Sequence, residues 1–152
     1  MNAMELVESV KAGSGDLSEV LRLAIAHFGA DSGTIHMLAP DGLLHLEAAS
    51  DGIPDPVMAV IRKIPVGKGM AGLAVERCEP VSACNIQTGN SADVRPRARA
   101  TGMEGAIVVP ILRGDRAVGA LGIANRRERT FNEEETALLI RVGRAIAERF
   151  PA

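Results

Sequence analysis

A chain of 152 residues with 47% hydrophobic and 24% charged residues is long enough for one domain with a sizeable core, and too apolar to be disordered. Its net charge of -2 gives no general attraction to nucleic acid or acidic lipid, and 2% aromatic content, three Phe without Trp or Tyr, weakens any binding built on aromatic stacking. No apolar run approaches the roughly 18 residues of a membrane span. The N-terminus carries acids and no long apolar region, so it is no signal peptide, and a cytoplasmic location is expected.

Residues 2–11 read as weakly helical, broken by Gly13 and Gly15, so residues 1–15 are taken as an N-terminal extension and 16–152 as the domain. Asp16 with Glu19 predicts a capping box, Leu17, Leu21, Ala24 and Phe28 an apolar helix face, and Gly29 its stop. Ser32 to Leu38 and Leu43 to Ser50 read as strands joined by the turn Pro40-Asp41-Gly42. Ile53 to Ile64 suggests a helix with Val57, Val60 and Ile61 facing inward. Residues 65–77 form a glycine-rich turn into a short helix. Glu79 to Cys84 reads as an edge strand, because Pro80 cannot donate to a ladder. Asn85 to Gly102 is a long polar segment, with a short helix expected after Pro96.

The clearest stretch follows. Ala106 to Leu112 and Ala117 to Ala124 are apolar runs around the turn Arg113-Gly114-Asp115-Arg116, an antiparallel hairpin in which Gly119 and Gly122 suit close approach of another backbone. Asn132 with Glu135 predicts a full capping box, and Leu139, Gly143, Ile146 and Phe150 share one helical stripe. Strands that come as hairpins make a mostly antiparallel sheet, and the class is α+β.

Few residues carry obvious chemistry. Gly67-Lys68-Gly69-Met70-Ala71-Gly72 satisfies GxGxxG, but Pro80 ends the following helix and the sheet is not parallel, so a tight packed turn is the better reading. Cys78 and Cys84 fit no zinc motif and read as buried thiols, with Cys84 the better of two weak nucleophile candidates. His36 and His45 lie on paired strands and come within reach of each other, yet too few ligands accompany them for a metal site. Arg95, Arg97 and Arg99 read as a solvated loop.

Three stretches together resemble the GAF domain family: SGTIHMLAPDGLLHLEAAS, IPVGKGMAGLAVERCEPV and GAIVVPILRGDRAVGALGIANRRERTFNEEE, covering about residues 16–150. The resemblance implies a six-stranded antiparallel sheet, with helices from both termini on one face. On the other face, short helices and a long loop roof a small-molecule pocket. It implies a non-catalytic sensory or regulatory domain in signal transduction, a homodimer through its terminal helices, and an output kinase, cyclase or transcription regulator acting in trans or lost by excision. By the family layout the ligand-binding residues are His36, Met70, Cys84, Asn85, Val94, Met103 and Val109. The ligand is unknown, and no metal or covalent chromophore is expected, since neither cysteine has the neighbouring histidine of bilin-binding members.

Asn125-Arg126 with Phe131 and Glu135 partly matches the pattern of cyclic-nucleotide-binding members. Asp93-Val94 and Val108-Val109-Pro110 match the framework of free methionine-(R)-sulfoxide reductases, but residues 95–104 lack their catalytic cysteine and IANR stands where they carry acids. A divergent reductase using Cys84 and Cys78 and a ligand-free dimerisation module are the two alternatives. The second rests on the small residues Ala137, Gly143, Ala145 and Ala147.

Overall fold

The computed structural model describes residues 2–13, 15–83 and 102–150. In chain order the elements begin α1 (Ala3–Ala12), α2 (Leu17–Phe28), β1 (Ser32–Leu38), β2 (Leu43–Ala49), α3 (Asp55–Ile61) and β3 (Lys63–Pro65). They continue with α4 (Gly69–Arg77), β4 (Val81–Ala83), β5 (Gly105–Arg113), β6 (Arg116–Asn125) and α5 (Glu133–Arg149).

Short polar side chains start three of the helices by taking up a free backbone N–H. Asn2 accepts from Glu5 at 2.8 Å, Asp16 from Glu19 at 3.0 Å and Asn132 from Glu135 at 2.8 Å. Only α5 completes the capping box, with Glu135 returning a bond to the Asn132 N–H. At α2 the box is half formed, because the Glu19 carboxylate pairs instead with Arg22. Gly29 ends α2 at φ 62°, a left-handed position that suits glycine.

The strands form one antiparallel sheet in the order β3-β2-β1-β6-β5-β4. The central β1–β6 pair joins the two hairpins. At their contact Gly119 faces the backbone of β1, where an added Cβ would collide with the His36 carbonyl oxygen and Met37 Sδ. Strand alternation then divides the molecule into two layers. Ile35, Ile107, Val109, Ile111, Leu121 and Ile123 point to the face covered by α1, α2 and α5, where they meet Leu21, Leu139, Val142 and Ile146. The opposite face carries smaller groups, Ala106, Ala117 and Ala120, beneath α4 with its Val75 and Met70. This is the α+β architecture expected.

Two elements depart from the sequence reading. The N-terminal segment expected as a weak extension is a helix whose Leu6, Val7 and Val10 are at most 4% exposed within the main core. Expected helix 53–64 stops at Ile61, and Lys63–Pro65 turns back to pair with Leu43–His45 as an edge strand.

The last helix buries more than one stripe: Leu138, Leu139, Val142, Gly143, Ala145, Ile146 and Ala147 are all buried. Gly143 lies against β5, where a Cβ would sit 3.4 Å from the Pro110 carbonyl oxygen. Three of the small residues read as a dimer surface are therefore used within the chain, and only Ala137 of that set is exposed. No helix of the described residues is long and apolar enough to cross a membrane.

Candidate functional site

A cavity of about 190 Å³ lies between the sheet and the two middle helices. Its floor is Thr34 and His36 of β1, Ala106 and Val108 of β5, and Gly122 and Ala124 of β6. Thr34 and Val108 both stand opposite Gly122 in the strand register. Glycine and alanine at the centre of this face leave space that larger residues would fill. Its roof is Val57, Val60 and Ile61 of α3 and the start of α4 from Lys68 to Ala71, with Met103 closing one side. At about 30 Å³ per water the space equals roughly six waters, which suits one small molecule.

Among the described residues His36 is the one buried polar side chain in this wall, at 2% exposure. Its Nε2 lies 2.8 Å from the Ile61 carbonyl oxygen. A carbonyl only accepts, so Nε2–H donates and the neutral ring keeps Nδ1 as an acceptor. Burial lowers the His36 pKa, opposed by the bond to Ile61, so the ring is neutral near pH 7. Nδ1 is buried and has no hydrogen-bond partner among the described residues.

The structure brings His36, Met70 and Met103 together around the cavity. Val109 belongs elsewhere. It is fully buried on the helical face of the sheet, and its neighbour Val108 lines the cavity instead, because successive strand residues point to opposite faces. Cys84, Asn85 and Val94 lie outside the described residues, as do Asp93, Arg95, Arg97, Arg99 and the helix expected after Pro96. Thr34, Val108 and Ala124 were not anticipated. Thr34 was readable from His36 by the period of two along β1, whereas Val108 and Ala124 required the register.

Other sequence candidates fall away from the cavity. Cys78 is exposed and not the buried thiol expected; it caps α4 at φ 53°, with Sγ 3.6 Å from the Val75 carbonyl oxygen. His45 stands opposite Met37, away from His36, and bonds Asp41 at 2.7 Å. The Leu43 N–H, followed by His45, lowers the Asp41 pKa. Among the described residues no three His, Cys, Asp or Glu side chains cluster to hold a metal.

The Asn125–Glu135 segment, which partly matches a nucleotide-binding pattern, serves packing. Asn125 is 1% exposed and donates to the Gly29 carbonyl oxygen at 2.9 Å, tying β6 to the end of α2. Arg129 donates to Asn125 Oδ1 at 2.8 Å and to Glu135 at 2.6 Å, and lies over the Phe131 ring at 4.4 Å. Gly67, Gly69 and Gly72 likewise serve a turn: Gly67 and Gly69 have φ of 90° and 65°, and a Cβ on Gly72 would sit 2.5 Å from the Pro65 carbonyl oxygen.

A curled antiparallel sheet with three helices behind it and a roofed cavity in front defines an α+β domain of the GAF type. The family model of the GAF domain matches residues 16–149, and the chain belongs to that family. Among curated proteins none matches significantly. Solved structures share the fold at low identity. A free methionine-R-sulfoxide reductase from Neisseria meningitidis, in complex with its substrate, has 19% identity and a TM-score of 0.78, over 97% of this chain and 85% of that one. The GAF domain of a phosphoenolpyruvate-protein phosphotransferase from Coxiella burnetii has 21% identity and a TM-score of 0.76, over 97% and 92%. The A. aeolicus nlh2 GAF domain in an inactive state has 16% identity and a TM-score of 0.72, over 97% and 94%.

Proposed function

We propose that the chain is a non-catalytic sensory domain of the cytoplasm that binds a small molecule in the cavity between sheet and roof. The observation that carries this reading is the cavity itself: a space of about 190 Å³, with largely apolar walls and a buried histidine whose Nδ1 lacks a partner among the described residues. Few convergent polar groups in an apolar hollow are the usual chemistry of ligand recognition. The roof consists of a short helix and the first turn of another, whereas the opposite face is covered by three helices that share one large core. A ligand that bound two positions of the roof unequally would shift their populations. Carrying that change to an output protein through terminal-helix contacts of a homodimer is part of the proposal. Light scattering on the purified chain tests the dimer, which a monomer at all concentrations would exclude.

The non-catalytic reading is supported by residues 95–104, which carry no cysteine, and by Cys78, which is exposed and outside the cavity wall; Cys84 lies outside the described residues. The test is a melt of the protein with the small-molecule fraction of a cell extract. A rise in Tm is expected for the wild type and not for Ala106→Leu, whose added bulk projects into the cavity. Turnover of free methionine-(R)-sulfoxide with a thiol reductant would contradict the non-catalytic reading.

A further inference from the structure

Alternation along β1 sends Ser32, Thr34 and His36 to the cavity face, while Gly33 and Ile35 turn toward the helices, where a Cβ on Gly33 would meet Leu21 and Ile25. Two of the three polar side chains are already occupied or out of reach. Ser32 Oγ is bonded to Ser50 Oγ at 3.0 Å, and Ser50 also accepts from the Gly33 N–H. His36 Nε2 is tied to the Ile61 carbonyl oxygen at 2.8 Å, and its Nδ1 is closed to solvent. The Thr34 hydroxyl differs from both. It has no hydrogen-bond partner among the described residues, and His36 Nδ1 is the one partnerless side-chain N or O among them that is shut away from solvent. The Thr34 hydroxyl is therefore both unspent and accessible, on a half-buried residue of the cavity wall.

Gly122 shows where that hydroxyl lies. It stands opposite Thr34 on one side and Val108 on the other in the strand register. A Cβ on Gly122 would sit 3.6 Å from Thr34 Oγ1 and 3.1 Å from Val108 Cγ2. The hydroxyl thus borders the space above the floor glycine, and the missing side chain keeps it uncovered. Across the same space stands a methyl group of Val108. A hydrogen-bonding group and an apolar one face each other over bare backbone.

Resting on the ligand reading above, we infer that Thr34 orients the molecule bound in the cavity, and that this molecule has an apolar body with an amide or a hydroxyl on one edge. That edge meets the Thr34 hydroxyl, which can donate or accept. The body lies over Gly122 against Val108 and Val57. An analogue without the polar edge strips the Thr34 hydroxyl of water and returns no hydrogen bond, and selectivity follows from that loss.

The test is a chemical-shift titration of the full chain, methyl-labelled at Val and Thr, with two probes. One is the six-membered lactam 2-piperidone; the other is methylenecyclohexane, a ring of the same size without a polar atom. The Val57 and Val108 methyl resonances report entry into the cavity, and the Thr34 methyl reports contact with its edge. In Thr34→Val, which keeps the shape and the strand preference, the lactam is expected to bind about fivefold or more weaker and the hydrocarbon no weaker. Thr34→Ser retains the hydroxyl and should retain the lactam affinity. Gly122→Ala, whose Cβ covers the hydroxyl, should weaken the lactam as Thr34→Val does. Lactam affinity unchanged in Thr34→Val, or lost equally in Thr34→Ser, would overturn the inference, as would binding of the hydrocarbon alone. In each of those cases movement of the Val57 and Val108 methyls leaves the cavity reading intact. If neither probe moves these valine methyls, the inference and the cavity reading both fail.

Discussion

Val108 and Val109 are neighbours in sequence with opposite surroundings, and truncating each to Ala should separate the two faces of the sheet. Val109 is fully buried in the core beneath the three helices. Its truncation removes two methyl groups, about 1.6 kcal/mol at about 0.8 per buried group. The void left in a close-packed layer adds a further contribution, and roughly 2–3 kcal/mol in total is expected. For a chain of this length that corresponds to a fall in Tm of about 5–10 °C. Val108 is half-buried and borders space that is already open. Val108→Ala opens no new void and should cost less than about 1 kcal/mol. Urea unfolding of the two variants, with equal m-values as the check on two-state behaviour, measures the difference. Equal losses, or a larger loss at Val108, would refute the assignment of faces and with it the cavity floor.

Leu6→Ala should cost about 2–5 kcal/mol by urea unfolding, because α1 contributes to the main core; a near-neutral result would return residues 3–12 to the status of an appendage. Asn125→Ala removes the donor to Gly29 and a partner of Arg129, and a loss of about 2–3 kcal/mol is expected. Less than about 0.5 kcal/mol would show that the segment is not structural. Since burial lowers the folded-state pKa of His36, the unfolded chain binds this proton more readily. The His36 contribution is therefore fully present above the unfolded value of about 6.5 and is lost as pH falls from there toward the folded value. Urea unfolding between about pH 7.5 and 5.5 should show a steeper decline in the wild type than in His36→Gln. Parallel slopes would mean that His36 is charged or exposed in the folded state.

The hairpins and the last helix were legible because their signals are local. Pro40-Asp41-Gly42 and Arg113-Gly114-Asp115-Arg116 sit between runs of strand character, and Asn132 with Glu135 marks a helix start within four residues. The N-terminal helix was under-read because a ten-residue helix is marginal alone. Leu6 and Val10 are buried by packing against α5, from the far end of the chain. Lys63–Pro65 spans only three residues, too few for an alternating pattern to show. The misplacement of Val109 has a related cause. Both faces of β5 are covered, so residues 106–112 are apolar throughout and give no sign of which face each side chain takes. The cavity itself was visible only through family resemblance. It exists because Ala106, Gly122 and Ala124, small residues from two strands, meet beneath α3 and α4. No local pattern announces that meeting.

The claim that this cavity holds a small molecule is tested most directly by native mass spectrometry of freshly purified protein, repeated after denaturation. The account predicts an added mass, at most one small molecule per chain, that disappears on denaturation and is absent from Ala106→Leu. Bare wild-type protein that also shows no added mass after incubation with the small-molecule fraction of a cell extract would contradict it.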